Sequence, residues 1–238
     1  MQKVINDISK IDPVYGLKVI AISALAVFLM ALVPKLRVAP ALFSPNVEKV
    51  DALDLVKSKL SAVPNTFKVK GDLSLIPQSF AASDFDSASS YEVIDFNTGK
   101  VLLSKDPDKK LPIASLTKLM SSIVALDISS PNEVFQVSNT AAGIEPTRIG
   151  VIAGQKMSLQ ELLEGSLMTS ANDAIEVVRE GIDTDYQDNS LFVRAMNQKA
   201  HDLGLKNSHF TNPQGFDDPN HYSSASDLAV LAHYALSN

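Results

Sequence analysis

From Val19 to Val33 the chain reads VIAISALAVFLMALV, an uncharged run whose one polar side chain is Ser23, with Lys18 before it and Lys35 and Arg37 after it. Because it is apolar on every face, it reads as a membrane-seeking segment rather than a buried core helix. At about 1.5 Å per residue the run falls short of a ~30 Å hydrocarbon core, so Tyr15, Gly16 and the snorkelling lysines complete a span over 15–34. A cleaved signal segment is the alternative. Pro34-Lys35-Leu36-Arg37 separates the run from the candidate cleavage site Ala39-Pro40-Ala41, which favours an uncleaved anchor. Lysines lie on both sides of the run, so charge does not set its orientation.

Residues 35–88 read as a linker. In it Val47, Val50, Leu53, Val56 and Leu60 recur at helical spacing and predict one short amphipathic helix, a fragment within a spacer, before the polar stretch Ser79 to Ser90. After Ser90 the pattern tightens. Tyr91 to Phe96 and Lys100 to Ser104 are strand-like runs joined by Asn97-Thr98-Gly99, a hairpin in which Gly99 supplies positive φ. A helix is predicted over Ala114 to Leu126, and Ser158-Leu-Gln-Glu161 is a capping box opening another over Leu159 to Met168. Further helices follow over Ala174 to Gly181, from Ser190 to a stop at Gly204, and after a cap at Ser224-Ala-Ser-Asp227. Strands first and helices after predict an α+β domain, an antiparallel sheet plus a helical subdomain, over 89–238.

Composition narrows the chemistry. With 238 residues, 45% hydrophobic and 20% charged, the chain suits one globular domain with extras. A net charge of -6 without clustered Lys and Arg argues against nucleic acid. The absence of Cys excludes disulfides, thiolate metal sites and a Cys nucleophile. The four His, at 201, 209, 221 and 233, show no HExxH-type spacing, so no metal is expected.

The informative stretch is Leu111-Pro-Ile-Ala-Ser115-Leu-Thr-Lys118-Leu-Met. Ser and Lys three apart at a helix start project from one face. A serine hydroxyl needs a base, and a lysine serves when burial, nearby positive charge or the helix dipole lowers its pKa. The first turn also lets backbone N–H groups face a developing oxyanion. Alone, S-x-x-K occurs by chance about once in a chain of this length, and an ordinary capped helix with a surface lysine is then the better reading. A second element changes that balance. Thr169-Ser170-Ala171-Asn172-Asp173 lies between two predicted helices, after an apolar helix (Leu159, Leu162, Leu163, Leu167) that carries Ser170 and Asn172 inward. The other S-x-N matches, Ser44-Pro-Asn46 and Ser130-Pro-Asn132, read as proline turns.

LPIASLTKLM, GSLMTSANDAIEVV and HFTNPQGFDDPNHYSSASDLAVLAHYAL, taken in order, resemble the signatures of the serine-type D-alanyl-D-alanine carboxypeptidases, the low-molecular-mass penicillin-binding proteins of peptidase family S11. S-x-x-K with S-x-N and K-T-G is a known motif set of that superfamily. The resemblance runs from about Ser90 to Asn238 and implies a serine β-lactamase/penicillin-binding-protein fold. It implies Ser115 as nucleophile on the penultimate D-Ala carbonyl and Lys118 as its base. Ser170 would relay a proton to the departing D-Ala nitrogen, and Asn172 would bind the substrate amide and orient Lys118. In the NPQG and HYSS stretch, Gly215 reads as a positive-φ turn, and Asn212 and His221 as braces of that loop. Asp173 reads as a charge at a helix N-terminus.

No K-T-G follows, since the single Thr-Gly pair is Thr98-Gly99. The expectation is that the sequence stops before that strand, with its C-terminal strands missing, and that the chain as written folds poorly or is catalytically dead. The loss of one oxyanion donor alone typically costs ~10²–10³ in rate.

The partners implied are the peptidoglycan stem peptide and β-lactams as covalent inhibitors, with no cofactor. Substrate outside the cytoplasmic membrane implies a cytoplasmic 1–14, a single-pass anchor at 15–34 and an extracytoplasmic catalytic domain. The rival readings are an endopeptidase, a class A-like β-lactamase (disfavoured, since no Glu-x-x-Leu-Asn follows Ser170) and a catalytically silent wall-binding protein.

Overall fold

The structure, a computed structural model, describes residues 50–60 and 87–237. The segments read as 1–14 and 15–34, most of the 35–88 linker including Val47, and residues 79–86 of the polar stretch lie outside the described residues.

What is described of the linker is part of the domain. Helix α1 (Ala52–Lys57) is capped by the Asp51 carboxylate, which accepts from Leu53 N–H. Its apolar side chains Val56 and Leu60 are buried in the common core. Arg194 pairs with Asp51, and Lys59 Nζ donates to Ile128 O at 3.1 Å and to Tyr186 Oη at 2.8 Å. A spacer would leave Val56 and Leu60 in water; their burial, at about 25 cal/mol per Å², holds the segment down.

Strands β1 (Tyr91–Ile94) and β2 (Val101–Lys105) pair antiparallel, as the alternation predicts. Their turn is closed by the Asp95 carboxylate, which accepts from Thr98 N–H, and by Gly99 at φ +70. A 3-10 turn (Ala114–Leu116) leads into α2 (Thr117–Ile128), most of whose residues are buried. That helix packs against α4 (Leu159–Thr169), α5 (Asn172–Asp185), α6 (Leu191–Asp202) and α7 (Ala225–Ser237). It is the post around which the helices stand.

Three elements differ from the pattern. A second hairpin, β3 (Val134–Gln136) with β4 (Lys156–Ser158), and a short helix α3 (Asn139–Ala142) stand between α2 and α4. Strands of three residues carry too little alternation to register. Helix α5 starts two residues before Ala174 and runs on past Gly181. Gly181 reads as a stop in the sequence, yet it permits a close approach: a Cβ there would sit 2.2 Å from Phe135 Cδ1. Leu167 is exposed, whereas Leu159, Leu162 and Leu163 are buried as expected.

The terminal signals do form. Ser158 and Glu161 make the reciprocal capping box of α4. Gly204, at φ +74, ends α6, with Leu205 N–H on Ala200 O and Gly204 N–H on His201 O. Ser224 Oγ accepts from Asp227 N–H at the start of α7.

Candidate active site

Ser115 sits in the 3-10 turn, exposed, just ahead of the most buried helix of the domain. Ala114 before it has φ +45, a left-handed conformation costly for a residue with a Cβ. An antiparallel bridge between Leu111 and Ser223 fixes the entering chain.

Lys118, one turn on, is 2% exposed. Its Nζ donates to Ser115 Oγ at 3.1 Å and to Gln214 O at 2.8 Å. No carboxylate pairs with it among these contacts, and burial lowers its pKa to about 8. In the neutral amine one N–H can stay on Gln214 O while the lone pair faces the Ser115 hydroxyl.

Ser170 caps α4 in a left-handed conformation, φ +62 and ψ +30. From there its hydroxyl donates to Ser115 Oγ at 2.5 Å. Ser115, Lys118 and Ser170 therefore converge on one oxygen.

Asn172, in the first turn of α5, is buried beside them, but its amide turns elsewhere: Nδ2 donates to Pro146 O at 2.5 Å. Among the described residues the Lys118 hydrogen bonds run to Ser115 and Gln214, and none joins it to Asn172. Asp173 does more than offset a helix dipole. Fully buried, its carboxylate accepts from the N–H groups of Ile149, Gly150 and Val151, pinning the 145–151 loop to α5.

Opposite stands the 211–216 loop. Asn212 Oδ1 accepts from Gly215 N–H at 2.8 Å and Phe216 N–H at 2.9 Å, closing the turn. Gly215 has φ +91, and a Cβ on it would lie 1.8 Å from Ala114 O. The 211–221 segment is stitched to α2 by three polar groups of that helix: Thr117 Oγ1 to His221 Nε2 at 2.7 Å, Lys118 to Gln214 O, and Ser121 Oγ to Pro213 O at 2.8 Å. The Gln214 side chain donates to buried Glu176 at 2.5 Å, and Glu176 pairs with Arg179 at 2.7 Å.

Sequence reasoning missed Thr117, Ser121, Gln214 and Glu176. A signal was present for the first two: Thr117 and Ser121 are polar residues four apart, and so share one face of their helix. Gln214 acts through its backbone carbonyl, which no side-chain pattern reveals. Among the described residues, no group of three or more His, Asp or Glu is placed to hold a metal ion.

A family model described as D-alanyl-D-alanine carboxypeptidase, peptidase S11, matches residues 78–238. The chain is 34% identical to the D-alanyl-D-alanine carboxypeptidase DacF of Bacillus subtilis over 67% of its own length and 43% of that protein's. It is 38% identical to a D-alanyl-D-alanine endopeptidase of Pseudomonas aeruginosa, over 58% of this chain and 44% of the relative. The crystal structure of penicillin binding protein 6B from Escherichia coli superposes with a TM-score of 0.61 at 28% identity, covering 71% of this chain and 55% of that one. The chain thus spans less than half the length of these two curated relatives, and the fold, helices with antiparallel sheet, is that of the penicillin-binding proteins.

Proposed function

Because the chain belongs to the D-alanyl-D-alanine carboxypeptidase family, peptidase S11, we propose that it is the Ser115-bearing part of a serine-type carboxypeptidase acting on peptidoglycan stem peptides. The observation that carries the reading is the convergence of Lys118 Nζ and Ser170 Oγ on Ser115 Oγ.

Neutral Lys118 takes the Ser115 proton as Oγ attacks the carbonyl carbon of the penultimate D-Ala. Ser170 passes a proton to the departing D-Ala nitrogen as the tetrahedral intermediate collapses to an ester on Ser115. Water then hydrolyses the ester, with the proton path reversed. With its pKa near 8 rather than 10.5, Lys118 is neutral in about one molecule in ten at pH 7, against fewer than one in a thousand for an ordinary lysine. Asn172 contacts the substrate amide once its Nδ2 leaves Pro146 O. β-Lactams acylate the same oxygen. Endopeptidase cleavage of cross-linked stems uses the same chemistry, and one relative bears that name. The segment 15–34 anchors the chain, with the catalytic domain on the extracytoplasmic side of the cytoplasmic membrane.

No K-T-G stands in this sequence, so the oxyanion donor and carboxylate-binding wall that the resemblance assigns to that strand are not among these residues. With fluorescent penicillin, the 238-residue chain is expected to label at least ~10²–10³ more slowly than a fusion supplying a K-T-G segment after Asn238. In that fusion one adduct forms, on Ser115, and Ser115→Ala removes it. A fusion that stays unlabelled, or labels equally as Ser115→Ala, would overturn the reading.

A further inference from the structure

His221 is 3% exposed, 104 positions from Thr117 in sequence, and in direct contact with it. Its two ring nitrogens have unequal partners. Nδ1 lies 3.1 Å from Thr211 N and 3.3 Å from Thr211 Oγ1; the hydroxyl can play either role, but the backbone N–H can only donate, so Nδ1 presents a lone pair. The proton of the neutral ring is then on Nε2, donated to Thr117 Oγ1 at 2.7 Å. Phe210 meets the ring edge-on at 5.8 Å. Asp217 and Asp218 favour a charge on the ring and His209 opposes it, but burial outweighs them and lowers its pKa, in keeping with a neutral ring.

We propose that His221 is a positioning residue for the nucleophile's base: as the Nε2-protonated neutral imidazole it clamps Thr117, the first residue of α2, to the 211–222 segment. That clamp keeps Lys118 sealed between Ser115 Oγ and Gln214 O. It spans one step in each direction. Thr117 precedes Lys118 on the helix, and Thr211, held by Nδ1, begins the loop whose Gln214 carbonyl accepts from Lys118. Gly215 of the same loop lies against Ala114 O, next to Ser115, so a shift of the loop disturbs that contact and uncovers Lys118. The proposal rests on the reading of Lys118 as the base, because its consequence is read at Lys118.

The test is an NMR titration of the intact chain, so it does not depend on turnover. With four histidines in the chain, ring ¹⁵N shifts identify each tautomer. His221 is expected as the Nε2–H form, titrating below the ordinary histidine range. Lys118, followed by its side-chain shifts and assigned through Lys118→Arg, is expected to titrate near 8 in the wild type. In His221→Phe, which keeps a ring but neither nitrogen, water gains the lysine and its titration rises by one unit or more toward 10.5. Thr117→Val, which keeps shape and removes the acceptor, is expected to shift it in the same direction, and His221→Gln, which retains a donor near Nε2, to restore part of the shift. If His221→Phe unfolds, Thr117→Val carries the comparison. A His221 protonated on Nδ1, or a Lys118 that stays near 8 in Thr117→Val, overturns the proposal. A wild-type Lys118 titrating as an ordinary lysine overturns instead its assignment as the base.

Discussion

Two residues either side of the nucleophile show how closely its surroundings are fitted. Ala114 adopts φ +45 and Gly215 φ +91, and the carbonyl of the first lies where a Cβ of the second would stand. The conformation is costly at Ala114, since non-glycine residues held at positive φ cost of order 1–3 kcal/mol, whereas glycine, without a Cβ, adopts φ +91 freely. Gly215→Ala therefore meets two penalties, a strained backbone and a contact with main chain that cannot rotate away. The variant is expected to lose about 2 kcal/mol or more in urea unfolding. It is also expected to slow acylation in the K-T-G-bearing fusion, because the displaced loop carries the Gln214 carbonyl that holds Lys118. A Gly215→Ala chain as stable as wild type would show that the loop yields freely. At this scale the sequence was eloquent about identity and silent about conformation. The three-residue spacing of Ser115 and Lys118 gains weight only beside the Ser170-x-Asn172 element and the family resemblance, and the left-handed φ of Ser170, which aims its hydroxyl at Ser115, follows from a helix ending one residue earlier.

Elements were legible where local chemistry alone decides them. The capping box of α4 is written in Ser158 and Glu161, and its hydrogen bonds are local: Ser158 N–H to Glu161 Oε2 at 2.8 Å and Glu161 N–H to Ser158 Oγ at 3.3 Å. The Gly204 stop of α6 is of the same kind. Where tertiary contacts decide, the pattern misleads. Gly181 signals a stop, yet α5 continues through it because Phe135 needs the space; β3 and β4 form because they pair with each other, not because their sequences alternate. Asn172 was read as loop and is instead the first residue of α5, its N–H on Thr147 O at 2.8 Å. The capping box also gives a clean separation of stability from chemistry. Ser158 stands at the opposite end of α4 from Ser170, on the order of 18 Å away at 1.5 Å per residue. Ser158→Ala is expected to cost about 1 kcal/mol by chemical denaturation while leaving the Lys118 titration near 8. A moved titration would mean that α4 does not hold Ser170 rigidly.

Across the whole molecule, one buried polar chain joins the site to the far helices. Lys118 donates to the Gln214 carbonyl; the Gln214 amide donates to Glu176; Arg179 bridges Glu176 and Asp183, each at 2.7 Å; and Asp183 Oδ1 accepts from Phe192 N–H at 2.8 Å, at the start of α6. No sequence pattern could show it, because its members come from α2, α5, α6 and the 211–216 loop and meet only in the folded chain. Burial pushes the Asp183 carboxyl up, opposed by the Phe192 amide and by Arg179. Such a chain need not stabilise the fold relative to an apolar one, but breaking it leaves buried charge without a partner. Arg179→Met, which keeps the stem and removes the guanidinium, is expected to destabilise the domain by about 3–5 kcal/mol at pH 7, a large share of the ~5–15 kcal/mol typical of a domain. The sign with pH follows from Asp183. Its native pKa is already above the unfolded value, and without Arg179 burial acts with less opposition, so it rises further. The native variant then binds more protons than its unfolded chain, and its deficit shrinks as pH falls through that raised pKa. Urea unfolding of wild type and Arg179→Met at pH 7 and pH 4.5 reads this directly: a smaller difference at the lower pH is expected, whereas an equal difference at both would assign the loss to the guanidinium's own packing and hydrogen bonds rather than to the charge left on Asp183.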